Sequence, residues 1–174
     1  MPELGSTLLQ LARNAIAAKF GLPATTPVDL PELHKTGATF VTLSQNGELR
    51  GCIGTLDAWR PLLTDVQENA RNAAFRDPRF DPLSKAELPI TRVEVSLLTP
   101  AEPMTFSSEA DALAQLRPEV DGVILTAGRH RATFLPQVWA QLPKPIQFMA
   151  YLKQKAGLPA DYWGPDIKLQ RYTV

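Results

Sequence analysis

The chain has 174 residues, 44% of them hydrophobic, which suits one ordinary folded domain or two small ones that share a core. Eighteen basic and eighteen acidic residues give a formal net charge of zero, whereas proteins that bind nucleic acid or anionic membranes normally carry a basic excess. We therefore expect neither role.

No hydrophobic run reaches the roughly 18–20 residues of a membrane span. The first residues also lack the basic region and apolar core of a secretory signal. The single cysteine, Cys52, excludes an internal disulfide, which fits a reducing compartment. We therefore expect a cytoplasmic protein.

Periodicity and turn signals predict a helix, a hairpin, a helix and a strand in the first half of the chain. Asn46-Gly47 is the strongest of these signals, because this pair favours the tight turn that joins antiparallel strands. Pro61 is typical of the first position of a helix. The predicted elements are a helix over Ser6–Phe20, strands over Thr39–Leu43 and Leu49–Leu56, a helix over Pro61–Phe75 and a strand over Thr91–Leu98.

The second half repeats this order, although the residues themselves barely match. Gly128 predicts the turn of the second hairpin, and Pro136 begins a helix. The predicted elements are a helix over Ser108–Leu116, strands over Val123–Thr126 and Ala132–Leu135, helices over Pro136–Leu142 and Ile146–Ala156 and a strand over Ile167–Thr173. Adjacent hairpins favour antiparallel sheets, so the predicted class is α+β, with an internal structural repeat as a hypothesis.

Several long motifs occur in one order along nearly the whole chain. They are LRGCIGT at 49–55, AAFRDPRF at 73–80, EVSLLTP at 94–100, DGVIL at 121–125 and RATFLPQVWAQLP at 131–143. With these motifs the chain resembles the AMMECR domain family. The resemblance implies a single domain over 1–174, in two unequal, intimately packed lobes whose antiparallel sheets are flanked by helices.

The resemblance also implies partners. In the AmmeMemoRadiSam system, proteins of this family are grouped with a Memo-like protein and a radical S-adenosylmethionine (SAM) protein. The family supplies no agreed biochemical activity, and no cofactor is evident from the sequence.

Cys52 is the strongest candidate for a reactive side chain. Side chains alternate along a strand, so Arg50, Cys52 and Gly54 are predicted to share one face, with Arg50 roughly 7 Å from Cys52. A nearby cation favours the reactive thiolate. Arg50 and Cys52 are therefore the candidate catalytic residues. The alternative is that Cys52 is a small buried residue with no chemical role.

A second group of candidates surrounds this strand and suggests a site for a small anionic ligand. Arg79 lies in a rigid Pro-rich loop, and Asp77 is placed to orient its guanidinium. Glu94 and Ser96 face Cys52 if their strand is its neighbour, and glycines in a strand mark a close backbone approach. The predicted ligand-binding residues are Gly51, Gly54, Asp77, Arg79, Glu94 and Ser96. The alternative is that Asp77 and Asp81 merely neutralise the neighbouring arginines on the surface.

Other chemistries lack their sequence signatures. One cysteine and two widely separated histidines do not predict a metal site. Asp111, Glu119 and Asp121 could form a carboxylate-only site; the alternative, more typical of acidic residues there, is that they cap a helix and lie in turns. Nucleotide-binding and serine-hydrolase motifs are absent from the sequence. The aromatic residues Phe134, Trp139, Phe148 and Tyr151 are predicted to lie in the core.

Two classes of function remain open. In the first, the protein is an enzyme or enzyme component that handles a small anionic or carbonyl compound in a cleft at Arg50 and Cys52. In the second, it is a non-catalytic adaptor or binding protein that acts with the Memo-like and radical SAM partners. Replacement of Cys52 by serine separates the two classes, because only the first depends on the thiol.

Overall fold

A computed structural model describes residues 2–174, and these form two compact units, residues 2–98 and Thr99–Val174. Each unit has its own hydrophobic core of buried side chains. Helices and antiparallel sheets occur in both units, which confirms the predicted α+β class. None of the helices in the described chain is long and apolar enough to span a membrane.

The first unit has one three-stranded antiparallel sheet with two helices. Its elements are α1 (Pro2–Ala18), β1 (Thr39–Gln45), β2 (Glu48–Gly54), α2 (Leu62–Phe75) and β3 (Arg92–Leu97). Short 3-10 helices cover Pro31–His34 and Lys85–Ile90. The strand order is β2-β1-β3, so β1 is the central strand.

Local sequence explains most of these boundaries. Asn46 and Gly47 both have positive φ, 53° and 80°, which is the type I′ turn that this pair favours in a two-residue hairpin loop. The helix predicted over Pro61–Phe75 begins one residue later, at Leu62, and Pro61 is its N-cap residue. The first helix begins at Pro2 instead of near Ser6, since a proline fits the first turn, where its missing N–H has no partner to lose.

The second unit has a four-stranded antiparallel sheet. Its elements are β4 (Glu102–Pro103), α3 (Glu109–Gln115), β5 (Gly122–Ala127), β6 (His130–Phe134), α4 (Pro145–Lys155) and β7 (Ile167–Tyr172). The strand order is β4-β7-β5-β6. The helix predicted over Pro136–Leu142 is a shorter 3-10 helix, Pro136–Ala140, because Pro143 disfavours helical geometry in the residue before it.

Aromatic stacking forms the centre of the second core. Trp139 and Phe148 are stacked with ring centroids 3.8 Å apart, and Phe134 contacts Phe148 edge-on at 5.3 Å. The core placement predicted for these three residues is therefore confirmed. The same prediction is wrong for Tyr151, which is exposed.

The two units share one connectivity. Each runs helix, hairpin, helix, strand, and in each the last strand pairs with the first strand of the hairpin, β3 with β1 and β7 with β5. Strand β4 is an addition at the far edge of β7. This shared topology supports the hypothesis of an internal structural repeat.

Candidate functional site

A bulge in β2 sets the position of Arg50. The pairing of β1 with β2 shifts between Leu43 and Ser44: Gly51 lies opposite Leu43 and Leu49 lies opposite Ser44. Arg50 is therefore the extra residue and has no partner across the ladder. Because a bulge interrupts the alternation of side chains, the predicted shared face of Arg50 and Cys52 does not follow from the strand period.

The Arg50 guanidinium turns toward Glu87 instead of Cys52. Its Nε and Nη2 donate to the two Glu87 carboxylate oxygens at 2.9 and 3.3 Å, and Nη2 also donates to the Asp81 carbonyl at 2.8 Å. Only 13% of the side chain is exposed. Its Nη1 is buried and has no hydrogen-bond partner among residues 2–174.

Asp77 joins the Pro-rich loop to the strand of the cysteine. Its carboxylate accepts from Arg79 Nε at 3.0 Å and Nη2 at 2.7 Å, and from the Cys52 amide at 3.0 Å. Arg79 Nη2 in turn donates to the Cys52 carbonyl at 3.3 Å. The predicted orientation of a guanidinium by Asp77 is thus present, and the cation beside the Cys52 backbone is Arg79.

The ion pairs determine the charge states of the two carboxylates. The hydrogen bond from the Arg79 guanidinium, with those from the Cys52 and Arg79 amides, lowers the Asp77 pKa to about 2 against the opposing effect of burial. Hydrogen bonds from Arg50 and then from Gln45 and Ser84 lower the pKa of Glu87 to about 2. Both carboxylates are therefore ionised at neutral pH and hold their arginines in place.

Arg50 and Arg79 line a cleft of about 500 Å³. The Phe80 ring contacts both, with its centroid 5.7 Å from the Arg50 guanidinium carbon and 5.5 Å from that of Arg79. Pro78, Asp81 and Glu87 complete the lining. Two guanidinium groups thus meet at an aromatic ring on the wall of one open cavity.

Cys52 lies beside this cleft and does not line it. Its side chain is partly buried, and Sγ is 3.3 Å from the Thr42 hydroxyl on β1. The pKa of Arg79 is raised chiefly by its hydrogen bond to the Asp77 carboxylate, with Cys52 as a minor electrostatic contribution. Neither a hydrogen bond nor an ion pair joins Cys52 to the Arg50 side chain among the described residues.

The predicted proximity of Glu94 and Ser96 to Cys52 is wrong. Thr42 lies directly between Cys52 on one side and Glu94 on the other, and Phe40 likewise separates Gly54 from Ser96. The prediction required β3 to pair with β2, but β1 is the central strand. Two strand spacings place Glu94 roughly 10 Å from Cys52.

The glycines of β2 make close contacts within the protein. A Cβ on Gly51 would lie 2.2 Å from the Ala73 carbonyl oxygen of α2, and one on Gly54 would lie 2.2 Å from the Phe40 ring. The close approach expected at these positions is therefore real, but its partners are a helix and a neighbouring side chain. The space that a ligand would need at Gly51 and Gly54 is already filled.

Sequence reasoning missed Glu87 and Phe80, the residues that hold Arg50 and shape the cleft. A signal for Glu87 existed: Ser84 and Glu87 have capping-box spacing, and the structure has that box at the start of the 3-10 helix Lys85–Ile90. The second role of Glu87, as the partner of Arg50 from a distant segment, has no local signal.

The two histidines and the acidic residues Asp111 and Asp121 have structural partners. His34 pairs with Asp29 at 2.6 Å, and His130 Nδ1 lies 2.8 Å from the Ala156 carbonyl oxygen. Asp111 and Asp121 receive hydrogen bonds at a helix start and a turn, as their alternative interpretation predicted. Across residues 2–174, no group of three or more His, Cys, Asp or Glu side chains is placed to hold a metal ion.

Comparison with known proteins identifies the family. The AMMECR1 family model matches residues 9–174. A protein of Methanothermobacter thermautotrophicus is 39% identical over 98% of this chain and 91% of its own length, and one of Thermococcus gammatolerans is 38% identical over 99% and 88%.

A solved structure agrees with this assignment. The crystal structure of the uncharacterized protein PH0010 from Pyrococcus horikoshii superposes with a TM-score of 0.88 at 35% identity. The match covers 97% of this chain and 88% of that one. The resemblance seen in the motifs is thereby confirmed: the chain belongs to the AMMECR1 family.

Proposed function

We propose that this AMMECR1-family protein binds, and acts on, a small compound with a carboxylate or carbonyl group in the cleft beside Arg50, Arg79 and Phe80. The observation that carries the proposal is the pair of guanidinium groups, Arg50 and Arg79, that line one open cavity beside the Phe80 ring. Guanidinium groups bind carboxylate and carbonyl oxygens through several N–H donors held in a fixed geometry.

The charges at the cleft limit the ligand. Arg50 and Arg79 are each paired with a carboxylate, Glu87 and Asp77, and Asp81 also lines the cavity. Two cations therefore face three carboxylates, which disfavours a highly charged anion. A compound with one carboxylate, or with a neutral carbonyl, fits better than a phosphate because it adds less negative charge.

Phe80 favours a compact ligand at the same place. Its ring presents a face to both guanidinium groups, so the two cations and the ring form a fixed wall. An oxygen held there accepts a hydrogen bond while the carbon skeleton contacts the ring. Geometry of this kind fits a small organic acid or aldehyde.

Cys52, which lies beside the cleft and does not line it, is the candidate nucleophile of the catalytic version, which therefore requires a ligand that extends from the cleft to the sulfur. Its thiol sulfur would add to the carbonyl carbon of an aldehyde ligand, forming a C–S bond. The carbonyl electron pair would move onto oxygen, which would take the proton of the thiol. The product is a hemithioacetal, and the step needs no further reactant. Arg79, which bonds the Cys52 carbonyl, would lie close to the developing charge.

Binding of glyoxylate, which has both a carboxylate and an aldehyde, tests the cleft. We expect saturable binding by isothermal titration calorimetry, weakened about tenfold in Arg50→Lys, because lysine cannot reproduce the forked guanidinium contacts. Arg76→Lys, an exposed position in the same loop region, is the matched control and leaves binding unchanged. Equal affinities in all three proteins would refute the cleft proposal.

A separate measurement tests the thiol. Iodoacetamide is expected to alkylate the folded protein at mildly alkaline pH, and glyoxylate is expected to slow that alkylation. Cys52→Ser should retain the fold and glyoxylate binding while abolishing covalent capture. Failure to alkylate the folded protein would remove the catalytic version. The adaptor function with Memo-like and radical SAM partners would then be the better account.

A further inference from the structure

A hollow of about 920 Å³ lies within the second unit, along the edge of β7. Strand β4 pairs with β7 only at Arg171 and Gln170, and the last main-chain hydrogen bond joins the Met104 amide to the Leu169 carbonyl at 2.8 Å. Beyond Met104 the chain departs to the start of α3, which leaves the hollow between residues 103–108 and 163–170. We infer that this hollow binds a small planar organic anion, of the aromatic carboxylate class.

Two aromatic rings form one wall. Phe106 and Trp163 lie with ring centroids 5.4 Å apart at an interplanar angle of 58°, and both line the hollow. A planar apolar ligand gains both area burial and favourable ring geometry against such a pair. The volume lies within the range of pockets that enclose small organic molecules.

A buried ammonium supports this wall from the interior. Lys153 is 1% exposed, and its Nζ lies 5.5 Å from the Trp163 ring, 2.7 Å from a Glu109 carboxylate oxygen and 3.3 Å from the Ala160 carbonyl. A buried charge is tolerated only when it is paired in a well-defined geometry. The contacts of Lys153 therefore fix the indole, and the wall exists before a ligand binds.

The charge of the lining selects an anion. Lys168 is the only charged residue among the described residues that line the hollow. Its side chain is exposed, and the structure gives its ammonium neither an ion pair nor a hydrogen bond within residues 2–174. Thr105 and Thr126 add hydroxyl groups to the lining. An aromatic face, one free cation and flanking hydroxyls together match a ring that carries a carboxylate.

This site is independent of the Arg50 cleft, because all of its residues belong to the second unit. The proposed function of the cleft therefore has no bearing on it. Arg50→Lys is expected to leave the hollow unaffected, so failure at one site is distinguishable from failure at the other.

The probe is 2-naphthoate, titrated into protein labelled with 5-fluorotryptophan. Trp59, Trp139 and Trp163 give three fluorine resonances, assigned from single tryptophan-to-phenylalanine variants. We expect 2-naphthoate to shift the Trp163 resonance saturably and to leave that of the exposed Trp59 unchanged. No saturable shift below 10 mM, or an equal shift at Trp59, would overturn the inference.

Two variants separate the charge from the ring. Lys168→Gln should weaken 2-naphthoate binding about two- to fivefold, as for an exposed ion pair, while binding of neutral 2-naphthylmethanol stays the same. Lys144→Gln, another exposed lysine of the second unit, is the control and should change neither affinity. Trp163→Leu should weaken both ligands, with circular dichroism as the check on folding. If Lys168→Gln weakens both ligands equally or neither, the anion specificity is refuted.

Discussion

The Asp77 carboxylate accepts hydrogen bonds from three groups: the Arg79 guanidinium, the Arg79 amide and the Cys52 amide. Its side chain is 2% exposed, so these bonds are shielded from water. A group whose folded pKa is depressed stabilises the protein above its unfolded pKa, and this contribution is lost as the pH falls through the folded value. Asp77 therefore links the cleft to acid stability.

For Asp77→Asn we expect a loss of about 2 kcal/mol in the free energy of unfolding at pH 7, from the shift between 3.8 and about 2. The difference between the two proteins should shrink as the pH falls from about 4 to about 2, where the native carboxyl also becomes protonated. Urea unfolding at a series of pH values measures it. A difference that stays constant over this range would contradict the assigned pKa.

Lys153 and Glu109 make a second prediction at the residue scale. Glu109→Ala leaves a buried ammonium without its carboxylate and should cost about 3 kcal/mol. Lys153→Met removes the buried charge itself. The Glu109 carboxylate, which is partly exposed, can then be solvated by water. We expect the lysine variant to be at least 1 kcal/mol more stable than the glutamate variant in thermal or urea unfolding. The reverse order would show that the ammonium is not effectively buried.

At the scale of elements, close packing between β2 and α2 fixes the strand that carries Cys52. The Ala73 carbonyl oxygen occupies the space of a Gly51 side chain, and backbone cannot move aside as a flexible side chain can. Gly51→Ala should therefore destabilise the protein by about 3 kcal/mol. Gly5→Ala in α1, where nothing lies within 4 Å of the added carbon, should stabilise it by about 0.5–1 kcal/mol. Similar effects at both positions in chemical denaturation would refute the packing argument.

The elements themselves were predictable because their signals are local. Asn46-Gly47, Pro61 and the alternation of Val93 and Val95 mark a turn, a helix start and a strand within a few residues. The strand order depends on contacts between distant segments. Strand β3 pairs with β1 and not with β2, so the predicted proximity of Glu94 to Cys52 was wrong. The bulge at Arg50 and the pairing of Arg50 with Glu87 also depend on distant segments. The sequence therefore named Arg50, Asp77 and Arg79 as site residues but could not predict which residue holds Arg50.

For the whole molecule, the two separate cores make a prediction about folding. The second unit contains its own aromatic centre and its own four-stranded sheet. We expect residues 99–174, produced alone, to unfold cooperatively by circular dichroism, and Trp139→Ala in that fragment to abolish the transition by removing the stacked ring. A fragment without a cooperative transition would show that its core depends on the first ninety-eight residues.

Arg50 is the extra residue of the bulge in β2 and pairs with no residue of β1. Excising it would place Gly51 and Leu49 next to each other, opposite Leu43 and Ser44, and would turn an irregular hairpin into a continuous one. A bulge of this kind changes the direction of a side chain and interrupts the regular pairing of the two strands. Deletion of Arg50 should therefore preserve the sheet and remove the cleft. This deletion tests the role of the bulge more directly than a replacement of the Arg50 side chain does.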